Sequence, residues 1–302
     1  MEPTVLYPEF KPLSLEDREQ ITLCFRRSPP VTSELTFTNL FIWRHHYHFQ
    51  WCFSANTLLI VGQTGDEPLF ALPPVGEGNL SPALKQLLDY LGRHVQKPEL
   101  RRVPELFARD YAASLPLEVI PDPANSDYVY RTESLINLSG RKYHRKRNHL
   151  NQFRKEYSSR YQSLGGDLIE ACLDLEEDWC RLRSCVENPS LLSEEMAIRE
   201  ALLHFHQLDC LGGVILVDEK VVAFSLGEKL NPDTAVIHLE KANPEFSGSY
   251  AVINREFCQN AWSGFTYINR EQDLGEPGLR QAKLSYYPDH MSSKVIFRAS
   301  QV

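Results

Sequence analysis

Apolar residues in the second half of the chain switch between a two-residue spacing and a three-to-four-residue spacing, and turn residues mark each switch. Residues 167–172 read as a short strand, and 175–186 and 193–206 carry helical spacing. The apolar run 212–217 meets Asp218, Glu219 and Lys220, and 221–228 then completes a hairpin. Residues 235–242 predict a third strand, 250–262 a helix after Gly248, 264–269 a buried strand, and 294–298 a last strand. Pro277 suits the first turn of a helix that runs to Leu284.

The resulting order, β-α-α-β-β-β-α-β-α-β, resembles that of the GNAT acyltransferase fold. The first half repeats it loosely, with a strand at 10–14, helices at 15–26 and 33–48, a hairpin at 51–54 and 57–62, and a strand at 69–72. A helix at 80–95, a strand at 99–103, a helix at 104–111 and a strand at 117–120 finish that half, and Asp122, Pro123, Ala124, Asn125 and Ser126 read as a linker. The expectation is an α/β (α+β) chain of two tandem lobes, 1–126 and 127–302, each a mixed, mostly antiparallel sheet flanked by helices.

Composition changes this picture in two places. At 302 residues, 42% hydrophobic and 24% charged, the chain is expected to be soluble and cytoplasmic, since no apolar run reaches the ~18 residues of a membrane span and Met1, Glu2, Pro3 and Thr4 show no signal-peptide pattern. Seven scattered cysteines without a Cys-x-x-Cys pair suggest buried free thiols rather than a disulfide framework or zinc knuckle. His45, His46 and His48 lack the i, i+4 spacing of helix-borne metal ligands, so no metal is expected. Residues 141–155 hold seven Lys/Arg and no acid, so the rest of a chain of net charge −8 carries −15.

That basic segment reads as part of a helix over 139–161, with Tyr143, Leu150, Phe153, Tyr157 and Tyr161 as its apolar stripe. Lys146 and Arg147 fall on the two borders of the stripe, where a side chain points across the protein. Arg141 and Lys142 oppose the helix dipole at a cost of roughly 0.3–1 kcal/mol each, which an anion would offset. Phosphate binding and a solvated face are the two readings of this segment.

A charged, glycine-bearing loop follows the strand at 264–269, at the carboxyl end where open α/β sheets bind ligands. It offers Asn269, Arg270, Glu271 and Asp273, and the next helix adds Arg280, Lys283 and Tyr286. Glu240 and Lys241 end the neighbouring strand, Gly248, Ser249 and Tyr250 open a helix whose first amides suit an anion, and Asn254 lies on that helix. Mixed carboxylates and amines suit acyl transfer, with Glu240, Glu271, Asp273, Lys283 and Tyr286 as catalytic candidates. Glu271 and Asp273 suit an amino group or a proton, Arg280 and Lys283 an oxyanion or phosphate, and Tyr286 a proton relay. The same residues also suit ion pairs that hold the last helix to the sheet.

The residues Arg141 to Asn148 (Arg-Lys-Tyr-His-Arg-Lys-Arg-Asn), Leu239-Glu240-Lys241-Ala242, Gly248-Ser249-Tyr250 with Asn254, and Tyr267 onward through Lys283 resemble an uncharacterised bacterial family. That family is similar to the C-terminal cytoplasmic domain of phosphatidylglycerol lysyltransferase and, more distantly, to Fem-type aminoacyltransferases. The resemblance implies tandem GNAT-like lobes and an aminoacyl-tRNA donor, held through 141–155, whose ester is attacked by a hydroxyl or amine of a small molecule, peptide or lipid head group. Lys142, Lys146, Arg147, Asn148, Lys241, Gly248, Ser249, Tyr250, Asn254, Asn269, Arg270 and Arg280 are then the binding candidates, and no cofactor is held permanently. Two alternatives stand beside it: an acyl-CoA-dependent N-acyltransferase, which Glu245 and Tyr250 disfavour in a pyrophosphate-binding loop, and a noncatalytic module for RNA or another anionic ligand.

Overall fold

The computed structural model describes residues 5–183 and 185–299, so Met1 to Thr4, and Ser184 within the expected helix 175–186, lie outside the described residues. The first 121 residues supply β1 (Lys11–Pro12), α1 (Arg18–Arg27), α2 (Phe37–Ile42), α3 (Arg44–Tyr47), β2 (Gln50–Ser54), β3 (Thr57–Gly62), β4 (Phe70–Ala71), α4 (Ser81–Gly92), β5 (Glu99–Pro104), α5 (Glu105–Tyr111) and β6 (Leu117–Pro121). There follow β7 (Asp127–Arg131), α6 (Thr132–Asn137), α7 (His144–Glu156), β8 (Ser159–Ser163), α8 (Ile169–Arg183), α9 (Pro189–Leu203), β9 (Leu211–Val217), β10 (Lys220–Lys229) and β11 (Thr234–Ala242). The chain ends with α10 (Ser249–Ala261), β12 (Tyr267–Asn269), α11 (Pro277–Leu284), β13 (His290–Ser292) and β14 (Lys294–Ala299).

Two seven-stranded mixed sheets result, ordered β1-β2-β3-β4-β5-β14-β6 and β8-β9-β10-β11-β12-β7-β13. The orders correspond position by position, and the parallel pairs β4–β5 and β11–β12 fall at equivalent places. The final strand of each repeat is exchanged. β14, expected to close the second lobe, pairs with β5 and β6, and β7 pairs with β12. Accordingly one unit comprises the chain up to Asp127 with Gln272–Arg280 and the segment from Met291, and the other comprises Tyr128–Glu271 with Gln281–His290.

In the first unit α4 lays Ala83, Leu84, Leu87 and Leu91, at helical spacing, on a sheet face that carries Leu59, Val61, Leu100, Val103 and Phe297. Each such buried leucine contributes about 1.5–3 kcal/mol. In the second unit β9, β10 and β11 are apolar almost continuously because helices cover both faces. Adjacent strand residues point to opposite faces, and on β11 Glu240 meets Asn254 of α10 while Lys241 meets Glu176 of α8.

Three local expectations change. The basic helix is His144–Glu156 behind a 3₁₀ turn at Arg141–Tyr143, not 139–161. Tyr157 is extended, and Tyr161 lies in β8, paired with Ile215, where its ring covers Gly213 so closely that a Cβ there would collide with the hydroxyl. Edge pairing with β9 outweighs helical spacing. Residues 167–172 are not a strand: after a 3₁₀ turn at Gly166–Leu168 they begin α8, which buries Cys172 and Leu175, and β8 takes the role of first strand. Finally, Cys180 and Cys185 are disulfide-bonded, with their Cα atoms 5.1 Å apart, whereas Cys24, Cys52, Cys172 and Cys258 are buried thiols.

Candidate functional site

The second unit gathers its charged residues where β11 outruns its parallel neighbour. Register pairs Val236 with Asn269, the last residue of β12, so β11 continues to Ala242 without a partner on that side and the chain beyond Asn269 can turn across it. The turn is strongly specified. Asn269 Oδ1 accepts the Glu271 amide at 2.8 Å, Arg270 N–H donates to Tyr128 O, and Tyr128 N–H donates to Glu271 O. Glu271 adopts φ = 58°, a conformation uncommon outside glycine and asparagine.

Arg270 is thereby aimed at β11, where its Nη2 donates to Glu240 Oε1 at 3.0 Å. Asn254 Nδ2 on α10 donates to Glu240 Oε2 at 3.1 Å, so both carboxylate oxygens are engaged. The guanidinium carbon lies 4.9 Å from the Tyr286 ring centre and 5.7 Å from that of Tyr130. Burial disfavours the Arg270 charge, but Glu240, Tyr130 and Tyr286 outweigh it and push the guanidinium pKa up. Among the described residues, two polar atoms in this cluster have no hydrogen-bond partner: Arg270 Nη1, a donor, and Asn254 Oδ1, an acceptor.

Lys146 completes the cluster from α7. Its ammonium lies 3.8 Å over the Tyr286 ring. Burial and the nearby Arg270 guanidinium pull its pKa down to about 8, with Glu240 opposing. Burial holds the Tyr286 and Tyr130 phenols well above their ordinary range, so both stay protonated. Tyr130 donates to Lys283 O at 2.8 Å, and Lys283 Nζ donates to Arg270 O, which ties α11 to the turn.

Glu240, Arg270, Asn254, Lys146 and Tyr286 thus stand together. Arg147, at the other border of the stripe, donates to Leu138 O and Gly140 O and closes the turn before α7. Lys142 lies 5.1 Å from the Tyr143 and Tyr287 ring centres, and Asn148 is exposed. Gly248 has φ = 92° and abuts α7, where a Cβ would stand 2.7 Å from His149 O. Ser249 is buried, its amide bonded to Phe246 O and its hydroxyl to Asn243 O, while Tyr250 is 39% exposed. Lys241, on the opposite face, lies 3.1 Å from Glu194, 3.7 Å from Glu176 and 3.4 Å from the Trp179 ring centre. Burial raises the Glu176 carboxyl to about 7. Asp273 and Arg280 belong to the first unit, where they pair at 2.8 Å. His45 and His46 lie on α3, and His46 packs edge-on against Trp43.

Sequence reasoning missed His238, which sits between two carboxylates: Nδ1 is 2.7 Å from Glu271 Oε1 and Nε2 2.9 Å from Glu228 Oε1. Its side chain is 1% exposed. Burial disfavours its charge, but hydrogen bonds to Glu228 and Glu271 prevail and raise it to about 9. The signal was present in part, since His238 lies two residues before Glu240 in an apolar strand. Tyr130 and Glu228 were also missed.

The chain belongs to the family described as phosphatidylglycerol lysyltransferase, C-terminal, whose model matches residues 25–297. A conserved protein of unknown function from Bacteroides thetaiotaomicron is 35% identical and matches with a TM-score of 0.90 over 96% of this chain and 99% of that one. L-PGS from Bacillus licheniformis matches at 13% identity and a TM-score of 0.63, covering 93% of this chain and 91% of that one. FemX matches at 8% identity and a TM-score of 0.58, covering 97% of both chains, and like L-PGS it shows the shared fold. An uncharacterized protein of Mycoplasmoides gallisepticum is 24% identical over 183 residues, 60% of this chain and 58% of that protein, so the match spans less than two thirds of that relative. Among the described residues no helix is long and apolar enough to cross a membrane.

Proposed function

We propose, from membership in this family, that the second unit transfers an aminoacyl group from aminoacyl-tRNA to an amine or hydroxyl acceptor. The observation that carries the reading is Lys146, an ammonium poised near 8 beside an arginine that retains an uncommitted donor. In the reaction the acceptor nitrogen or oxygen adds to the ester carbonyl carbon and the π pair moves to the carbonyl oxygen. Arg270 Nη1 is the donor for that oxyanion. As the intermediate collapses, the carbon–oxygen bond to the ribose breaks, Lys146 gives its proton to the leaving oxygen, and the proton shed by the acceptor restores it. Glu240 aligns Arg270 and Asn254, and Asn254 Oδ1 accepts from the donor's amino group. The exposed cations Arg141, Arg145 and Lys155 supply the phosphate contacts.

The test is deacylation of a panel of charged tRNAs, run beside a panel of labelled acyl-CoAs. Acceptor-dependent loss of label from tRNA supports the reading. Turnover of acyl-CoA alone would replace it with a coenzyme A-dependent transferase, and binding of tRNA without turnover would reduce it to a binding module.

A further inference from the structure

His238 is unusual in what it must be. Both ring nitrogens lie within hydrogen-bond distance of carboxylate oxygens, which only accept. A neutral imidazole has one N–H and satisfies one of them, so this geometry requires the imidazolium. The two acceptors sit on different elements: Glu228 is on β10, and Glu271 lies two residues past the end of β12. Glu228 and Glu271 are the charged groups that act most strongly on His238, each through a hydrogen bond and its charge, and together they clamp it.

What the clamp holds is the turn that aims Arg270. Glu271 has an unfavourable backbone conformation, and Arg270 follows from it, because both amides and the Glu271 carbonyl are bonded to Tyr128 and Asn269 as one unit. Released from His238, Glu271 would lose the hydrogen bond that ties its carboxylate to β11, and the turn would lose that restraint on its backbone. We propose that His238 is a positioning residue: its imidazolium pins Glu271 to the sheet and thereby keeps Arg270 seated on Glu240. His238 touches none of the groups assigned to the transfer, so it acts through Glu271 alone. This inference names the regulation of the same site and rests on the proposed function only for its kinetic consequence.

The sign of the effect follows from the raised pKa. The clamp is intact below about 9 and is lost as pH rises through that value. The test is amide exchange across residues 269–271 in the full chain, corrected for intrinsic rate, in the parent and in His238→Gln, from pH 6 to 10. At pH 7 the substitution should speed exchange there by about 10- to 100-fold, the range for losing one hydrogen bond to a charged group, and leave β9 unchanged. The parent should reach the same exchange only above pH ~9, while His238→Gln should show no such step. Glu271→Gln, which keeps the residue's size and removes its charge, should loosen the turn without disturbing β10. Nitrogen-15 spectra of the His238 ring at pH 7 must show two protonated nitrogens. Unchanged exchange in His238→Gln, or a ring with one N–H at pH 7, overturns the proposal. If the exchange results hold but no charged tRNA is turned over by the parent, the clamp stands and the assignment of the donor fails.

Discussion

Two lysines, one in each unit, are drawn out of water and end in opposite electrostatic states. Lys294 of β14 is fully buried in the first unit, and its ammonium donates to Glu34 Oε1 and Asp127 Oδ1, each at 2.6 Å. Burial disfavours its charge, but Asp127 and Glu34 outweigh burial and the pKa is pushed up. Lys146 of the second unit has an aromatic face beneath it and a guanidinium beside it, and its pKa falls to about 8. The first lysine is locked as a cation by two anions and serves the fold. The second is kept on the edge of losing its proton, and this is why chemistry is proposed for it.

The largest expected effect separates the two at the level of stability. Lys294→Met removes the ammonium shared by two buried carboxylates, leaving Glu34 only the more distant Arg102 at 3.8 Å, and should lower unfolding free energy by about 3–5 kcal/mol, read from the denaturant midpoint. Lys146→Met should leave that midpoint within about 1 kcal/mol yet reduce transfer from aminoacyl-tRNA about 10²-fold, the low end for removing a general acid. A large loss of stability in Lys146→Met would merge the two lysines into one structural class. A smaller effect concerns pH: the proposed transfer uses the protonated Lys146, so the rate should bend downward as pH rises through about 8, and Lys146→Arg should remove that bend. Smallest is Arg145→Gln on the exposed face of α7, which should weaken tRNA binding at low salt and reduce the slope of log K against log salt by about 0.7–0.9.

Much of this was visible in the chain as written. Hairpin β9–β10, strand β11 and helix α10 lie where periodicity and turn residues put them, because each is specified by neighbours a few residues apart. Glu240, Arg270, Asn254, Tyr286 and Lys146 were marked as candidates from their place at element ends and stripe borders. The misassigned places share a cause. Tyr161 and its neighbours fit a helical stripe, and only the presence of β9, some fifty residues on, turns them into a strand. His238 went unremarked because one histidine in an apolar strand is ordinary until Glu228 and Glu271 are brought to its two nitrogens.

Local pattern was therefore sufficient for the order of elements, the two-fold repetition of that order and the basic character of α7. It could not say that β14 joins β5 and β6 while β7 joins β12, an exchange of final strands that sets Tyr130 beside Arg270. Nor could it say which face of β11 carries the proposed site: Glu240 and Lys241 are adjacent, equally charged in magnitude and equally plausible, yet one meets Arg270 and Asn254 and the other Glu176 and Glu194. Strand pairing and proton affinity depend on groups far apart in sequence, whose contacts exist only once the chain has closed the loops between them.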